Sequence, residues 1–144
     1  MTIDIKLYEL EDNGDDNKYR FKIPKGNGLV SGIDRLAQQV AKSLLTTPGS
    51  DIRFPNWGGG ADGVAPILHD GDEIVTSYTN DIMFIVSKVE QDIKRSQSIN
   101  PVPDNEALIS LTVVDIELTD FDKVTLFLRI LTSDRVTTDV TVNL

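Results

Sequence analysis

The sequence predicts an α+β fold in which two main helices pack on a mostly antiparallel sheet, with an N-terminal hairpin and C-terminal strands. Three observations predict it. Two short N-terminal segments alternate between apolar and polar residues, two central segments carry apolar residues at helical spacing, and the last 40 or so residues alternate again. Strands and helices grouped in this order are typical of helices layered on one face of a sheet.

The N-terminal hairpin is predicted from residues 2–10 and 18–23. Ile3, Ile5 and Leu7 lie on one face of the first segment, as expected of a strand. Residues 11–17 consist of turn-forming and charged residues, and the basic second strand would face the acidic first strand and turn. We expect the hairpin to occupy residues 1–25 and a glycine-rich connector to follow over residues 24–32.

The first helix is predicted to begin at Ser31 and to stop before Pro48 and Gly49. Ser31 and Asp34 have the spacing of a capping box, with an acid at the positive end of the helix. The apolar stripe consists of Ile33, Leu36, Ala37, Val40 and Leu44.

A second helix is expected to begin between residues 72 and 76 and to end at Asn100 and Pro101. Its apolar stripe consists of Ile82, Ile85, Val86, Val89 and Ile93. Its polar face carries Lys88, Gln91, Lys94 and Arg95.

The last part of the chain predicts three strands. Residues 107–118 alternate but slip by one place at Val113 and Val114, which indicates a β-bulge. After a turn at residues 119–122, residues 124–130 alternate cleanly, and Ser133 and Asp134 form the next turn. Residues 136–144 are amphipathic up to the last residue, so their backbone is expected to need a hydrogen-bonding partner.

Composition limits the partners and chemistry. The 144 residues are expected to form one domain, and 23 acidic against 14 basic residues give a formal charge of -9. Such a charge disfavours nucleic acid and anionic membranes. The absence of cysteine excludes disulfides and cysteine-based zinc sites. We expect no signal peptide, and we therefore expect the protein to be made and assembled in a cytoplasm.

No motif predicts a catalytic, cofactor or metal site. The single histidine, His69, lies near Asp70, Asp72 and Glu73 without a specific ligand spacing, and a solvated loop is the preferred interpretation. Residues 12–17 resemble a calcium loop only superficially, because the glycine is misplaced. Gly26 and Gly28 begin a dinucleotide-like spacing, but the third glycine, Gly32, stands one place late, and glycines 58–60 lack a following lysine. Nothing selects one carboxylate pair for glycoside hydrolysis.

The segment from residue 43 to residue 58 is the informative one, because a helix end with Thr-Thr-Pro-Gly is followed by a proline, an aromatic residue and a glycine. This order resembles the baseplate-wedge, sheath-initiator family of contractile phage tails, with relatives in type VI secretion and other contractile injection systems. The resemblance extends over residues 30–144 and leaves the hairpin outside. The motif residues are Thr46, Thr47, Pro48, Gly49, Pro55, Trp57 and Gly58.

The chain departs from the family pattern at two places. Ser50 stands where the family often has Glu after Pro-Gly. Asn100, Pro101 and Val102 stand where the family tends to carry Glu-Pro-Arg, a contact with the helical core of the wedge, so only the proline is kept. The charge-assisted contacts that Glu and Arg would supply are missing from this turn.

The resemblance implies a structural role without cofactors: a virion protein of the tail baseplate that nucleates the sheath. Its partners would be other wedge proteins, the tail sheath protein, and the central hub or tube-end proteins. Sheath subunits would join through strands donated between neighbours, with residues 124–131 and 136–144 as candidates. Alternatively, or at the same time, residues 136–144 close this domain's own sheet. The predicted sheath contacts are Val136, Thr138, Val140, Val142 and Leu144. Some members carry a lysozyme label, which no residue here supports.

Two other hypotheses remain open at this point. In the first, the chain is an acidic muramidase that acts on cell wall. In the second, it is a free-standing adaptor domain with unrelated partners. A turbidity assay on cell walls separates the first from a structural role, and imaging of the co-purifying particle separates the second.

Overall fold

In a computed structural model, residues 4–5, 9–12, 19–22, 29–64, 76–120 and 123–144 are described. Strands β1 (Asp4–Ile5), β2 (Glu9–Asp12), β3 (Tyr19–Lys22) and β4 (Leu29–Val30) precede helix α1 (Gly32–Leu45). A 3-10 turn (Ala61–Gly63) and helix α2 (Thr76–Ile99) follow. Strands β5 (Leu108–Asp120), β6 (Lys123–Thr132) and β7 (Thr137–Asn143) complete the order. The predicted α+β class is therefore confirmed.

The main sheet is antiparallel, with β6 between β5 and β7. Alternate residues of β6 and β7 face the helices, so the core combines one face of the sheet with the two helical stripes. α2 packs against β5, whereas α1 packs against α2 and β7. The fully buried core residues include Leu36, Val40, Leu44, Ile82, Val89, Ile93, Leu126, Leu128, Ile130 and Val142.

The predicted bulge is present in β5. The pairing of β5 with β6 shifts between Val113 and Asp115, so Val114 is the extra residue. Two further shifts occur, between Leu108 and Ser110 and between Leu118 and Asp120. In contrast, β7 pairs with β6 residue by residue from Thr137 to Asn143.

The N-terminal segment differs from the prediction. β2 pairs with β3, as a hairpin requires, and the register sets Glu9 opposite Lys22. However, the expected first strand is divided, because β1 pairs instead with β4, in the segment expected to be a connector. The alternation of residues 2–10 predicts extended backbone but cannot specify which segment pairs with it. Residues 11 and 12, expected in the turn, belong to β2.

The start of α1 also differs from the prediction. Ser31 occupies the N-cap position, but its side chain makes no capping hydrogen bond. The amide of Gly32 instead donates to Glu106 Oε1 at 2.9 Å. A carboxylate distant in sequence therefore accepts from the first turn, as an acceptor at the positive end of a helix does.

Candidate functional site

The loop that follows α1 contains the predicted motif residues. Its first residue, Thr46, donates from both its amide and its hydroxyl to Lys42 O, at 3.0 and 2.7 Å. Asp51 Oδ1 then accepts from the amide of Arg53 at 2.8 Å, which forms a local turn. The loop carries two apolar side chains outward, since Ile52 is 98% and Phe54 63% exposed. Pro48, Gly49 and Pro55 are exposed as well.

The glycines of this loop are required by close backbone approaches. Gly58 has a φ of +110°, and a Cβ added there would lie 2.2 Å from Thr46 O. Gly59 packs so closely on α2 that a Cβ would lie 2.7 Å from Ile85 Cγ2. The Gly59 and Gly60 amides donate to Ser43 O and Thr46 O, so neither is free to hold an anion. The preferred interpretation, turn glycines rather than a phosphate cradle, agrees with this geometry.

Lys88 of α2 attaches the loop to the helices. Its ammonium donates to Asn56 O at 2.9 Å and to Gly58 O at 2.6 Å, and lies 3.6 Å from Asp92 Oδ2. On the other side, Lys42 Nζ lies 5.9 Å from the centroid of the Trp57 ring, within the range of a cation–π contact. The motif loop is thus a fixed feature between α1 and α2.

The predicted wedge-contact turn lies where α2 ends. The amide of Asn100 still donates to Ser96 O, and Pro101 then prevents continuation of the helix. Asn100 and Pro101 are exposed, whereas Val102 is half-buried. The first two are therefore available to another chain.

Just beyond this turn, Glu106 and Gln97 pin the segment to the helices. The Glu106 carboxylate is buried and accepts from Gly32 N and from Arg35 Nη1, at 2.9 and 3.0 Å. Gln97 Nε2 donates to Glu106 O at 2.8 Å, and Gln97 Oε1 accepts from Leu108 N at 2.9 Å. Sequence patterns placed Lys88 only on the polar face of the second helix and did not single out Glu106 or Gln97, because each acts through a partner distant in the chain.

The structure refines the predicted sheath-contact strands. Residues 124–131 lie in β6, which has neighbours on both sides and so offers no free edge. That candidate was wrong, because alternation alone cannot distinguish a central strand from an edge strand. Within the described ranges, β7 has β6 as its only hydrogen-bonded neighbour and is therefore an edge strand.

The main chain of β7 has two sides. Val124 and Leu144 exchange both backbone hydrogen bonds, and Thr132 N donates to Val136 O. Alternation then turns the amides and carbonyls of the even-numbered residues toward β6. Those even-numbered residues are the five predicted sheath contacts: Val140 and Val142 are buried, Thr138 and Leu144 half-buried, and Val136 exposed. The outward groups belong to Thr137, Asp139, Thr141 and Asn143.

β7 also contacts β3 and the side chain of Arg129. β3 approaches it to within 8 Å between Cα atoms, although the described residues of the two strands belong to separate sheets. On β6, Arg129 Nε donates to Asp139 Oδ1 at 2.8 Å. This hydrogen bond lowers the pKa of the Asp139 carboxyl and raises that of the Arg129 guanidinium.

The sequence also raised the possibilities of a metal site and of a dinucleotide-binding loop. The described ranges contain no group of three or more acidic or histidine side chains arranged to hold a metal ion. His69, Asp70, Asp72, Glu73 and the glycines at 26 and 28 lie outside those ranges. Neither of the two described helices combines the length and apolarity needed to cross a bilayer.

No family model matches the chain, and no curated protein matches it. Among solved structures, the chain is similar to a protein of Geobacter sulfurreducens named as a tail lysozyme. The identity is 11%, the match covers 77% of this chain and 87% of that one, and the TM-score is 0.40. We therefore base the functional proposal on this chain's own residues and sequence motif.

Proposed function

We propose that this chain is a structural component of a contractile-tail baseplate wedge, and that it nucleates the sheath by accepting a strand at the outer edge of β7. The motif of residues 46–58 supports the assignment to tails, since its resemblance to the sheath-initiator pattern rests on seven residues in order. The observation that carries the mechanism is the regular edge of β7.

An edge strand can accept another strand when its outward amides and carbonyls are evenly spaced. β7 meets this requirement because its seven residues pair with β6 without a bulge. Thr137, Asp139, Thr141 and Asn143 repeat every second residue, which matches the spacing of an added antiparallel strand. Val140 and Val142 anchor the strand in the core, so its position is fixed before a partner arrives.

The remaining surfaces are assigned to other tail proteins. The exposed turn at Asn100 and Pro101 would contact the wedge core, and the loop with Ile52 and Phe54 would contact neighbouring wedge or hub proteins. The role requires no catalysis, cofactor, nucleic acid or membrane. The location would be the tail baseplate of a virion, assembled in the host cytoplasm.

The test compares two substitutions at one position. Asp139→Pro removes an outward amide without removing a bond to β6, whereas Asp139→Ala keeps that amide and removes only the carboxylate. We expect tails with the alanine variant to carry sheath, and tails with the proline variant to keep the protein in the baseplate but lack sheath. Electron microscopy of the tails and the melting temperatures of the two pure variants give the result.

Normal sheath on folded Asp139→Pro tails would refute strand acceptance at β7. Loss of sheath with both variants would assign the contact to the carboxylate instead.

Deletion of residues 136–144 is a poorer test, because it removes Val140 and Val142 from the core. Clearing of cell walls by the pure protein, lost on substitution of one acid, would favour a hydrolase.

A further inference from the structure

The outer edge of β5 is built differently from that of β7. Leu108, Leu111, Val113 and Ile116 stand opposite even-numbered residues of β6, whose main-chain groups are turned toward β7. The main-chain groups of these β5 residues therefore point outward, to the free side of the sheet. Among the described strands only β6 pairs with β5, so β5 is the second edge of the same sheet.

Side chains already occupy three of these outward amides. Leu108 N donates to Gln97 Oε1 at 2.9 Å, and Leu111 N donates to Glu90 Oε2 at 2.9 Å. Ile116 N donates to Asp115 Oδ1 at 2.8 Å. Two of the three acceptors come from α2, which lies along the strand.

Gln97 and Glu90 are held in place for this contact. The Gln97 amide also donates to Glu106 O at 2.8 Å, so one side chain makes both bonds that a residue of a neighbouring strand would make. Glu90 Oε1 is held by Lys94 Nζ at 2.6 Å, which leaves Oε2 for Leu111. The edge is further interrupted by the three register shifts of β5, a feature that natural sheets use to prevent pairing.

We propose that Glu90 and Gln97 are edge guards: they close β5 to strand addition and so make the sheet accept a strand on one side only. The inference deepens the strand-accepting role proposed for β7. A sheet with two open edges presents a heterologous, head-to-tail interface, in which β7 of one copy pairs with β5 of the next and the chain extends without closing. The occupant of an unguarded β5 edge is therefore a second copy of this chain.

The test removes the guards and measures self-association of the pure full-length chain. Glu90→Ala/Gln97→Ala frees the amides of Leu108 and Leu111. Gln91→Ala/Arg95→Ala is the matched control, because both residues are exposed on the same helix. Sedimentation velocity over a hundredfold range of concentration should show at least a doubling of mass for the first variant relative to the wild type, and no change for the control.

Two further variants locate the contact. Adding Val113→Pro removes another outward amide of β5, and adding Asp139→Pro removes one of β7. Either addition should return the guardless chain to the mass of the wild type. Hydrogen exchange at Leu108 and Leu111 should be faster in the guardless chain by at least about tenfold.

A guardless chain that stays folded, exchanges rapidly at Leu108 and Leu111, and keeps the wild-type mass would overturn the proposal. If the double variant does not fold, Glu90→Met alone is measured in the same way, and Glu90→Gln, which keeps an acceptor oxygen, should behave as the wild type. No sheath protein is present in these experiments. A negative result here would leave sheath nucleation at β7 standing, and a β7 edge that pairs with β5 but recruits no sheath would leave the expected self-association unchanged.

Discussion

Glu106 and Arg35 are 71 residues apart in the chain, yet Glu106 Oε2 accepts a hydrogen bond from Arg35 Nη1 at 3.0 Å. The other oxygen of the carboxylate accepts from Gly32 N, so one buried side chain joins the start of α1 to the segment that leads into β5. Gln97 binds the carbonyl of the same residue from α2. Three elements are therefore fixed relative to one another at Glu106.

Glu106→Ala should destabilise the protein strongly. It leaves the Gly32 amide and the partly buried Arg35 guanidinium without their acceptor, which we expect to lower the free energy of unfolding by about 2–4 kcal/mol. Glu106→Gln keeps one acceptor oxygen, so its free energy of unfolding should fall by less. Asp104→Ala, at an exposed neighbouring position, is the control and should change stability by less than about 0.5 kcal/mol. Urea unfolding followed by circular dichroism measures all three, and equal values for Glu106→Ala and the control would contradict the bridging role.

A series of Gly→Ala variants separates backbone strain from steric overlap. Gly63 has neither a left-handed φ nor a neighbour within 4 Å of an added Cβ, so alanine should be tolerated. Gly49 has a φ of +88° but open space, and its alanine variant should lose about 1–2 kcal/mol from strain. Gly58 combines a φ of +110° with an added Cβ that would lie 2.2 Å from Thr46 O. Its alanine variant should therefore lose more stability than the alanine variant of Gly49. Thermal unfolding gives the order, and a Gly58 variant as stable as the Gly63 variant would contradict the account.

The periodic elements of this fold could be predicted from the sequence. Ile82, Val89 and Ile93 form a buried helical stripe as their spacing predicts, and the slip in alternation at Val113 and Val114 corresponds to the bulge in β5. Burial of one face per element is a local property of the sequence, so periodicity reports it directly.

Pairing and polar contacts could not be predicted in the same way. Which strand pairs with β1, and which strand forms an edge, depend on residues distant in the chain. Glu90 and Gln97 have the spacing of ordinary polar residues on an amphipathic helix. Nothing in that spacing indicates that they bind the backbone of β5. For the same reason Ser31 was expected to cap α1, whereas Glu106 accepts from its first amide.

Lys88→Met should loosen the motif loop while keeping most of the apolar stem. Two carbonyls, Asn56 O and Gly58 O, lose their charged donor, and partial exposure of Lys88 limits the expected loss of stability to about 1 kcal/mol. Trp57, the single tryptophan, lies between these residues and reports on the loop. Its fluorescence should shift to longer wavelength and become more accessible to acrylamide. Arg95→Met, at an exposed position of the same helix, should leave the emission wavelength and the acrylamide accessibility unchanged. An unchanged spectrum for Lys88→Met would show that the Lys88 hydrogen bonds are not needed to hold the loop.

The Arg129 and Asp139 pair predicts a titration at low pH. The hydrogen bond from Arg129 lowers the pKa of Asp139 in the folded protein, so its stabilisation is present above the usual pKa of an aspartate and is lost as the pH falls through the lowered value. Arg129→Leu should raise the titration midpoint of Asp139 toward that of an ordinary carboxyl, as followed by NMR of the side-chain carbon. Arg135→Leu, in the exposed turn before β7, should leave the midpoint in place. Equal midpoints in the wild type and Arg129→Leu would show that the pair does not form in solution.

Removal of the N-terminal hairpin tests whether β3 shields the edge at which we propose strand addition. β3 approaches β7 to within 8 Å between Cα atoms, while the described residues of the two strands belong to different sheets. A neighbour that lies close without pairing slows the access of water and of a partner strand, but it is displaced more easily than a hydrogen-bonded strand. Deletion of residues 1–25 should therefore raise hydrogen exchange several-fold at the outward amides Thr137, Asp139, Thr141 and Asn143.

The same deletion contains its own control. The amides of Leu108 and Leu111 are held by α2, which the deletion leaves intact, so their exchange should stay at the wild-type rate. Faster exchange at all six amides would indicate general loosening of the sheet rather than exposure of one edge. Unchanged exchange at the four β7 amides would show that β3 does not shield them, and the hairpin would then have to act elsewhere. Selective acceleration at β7 would mean that the chain covers its own strand-accepting edge until a partner displaces the hairpin.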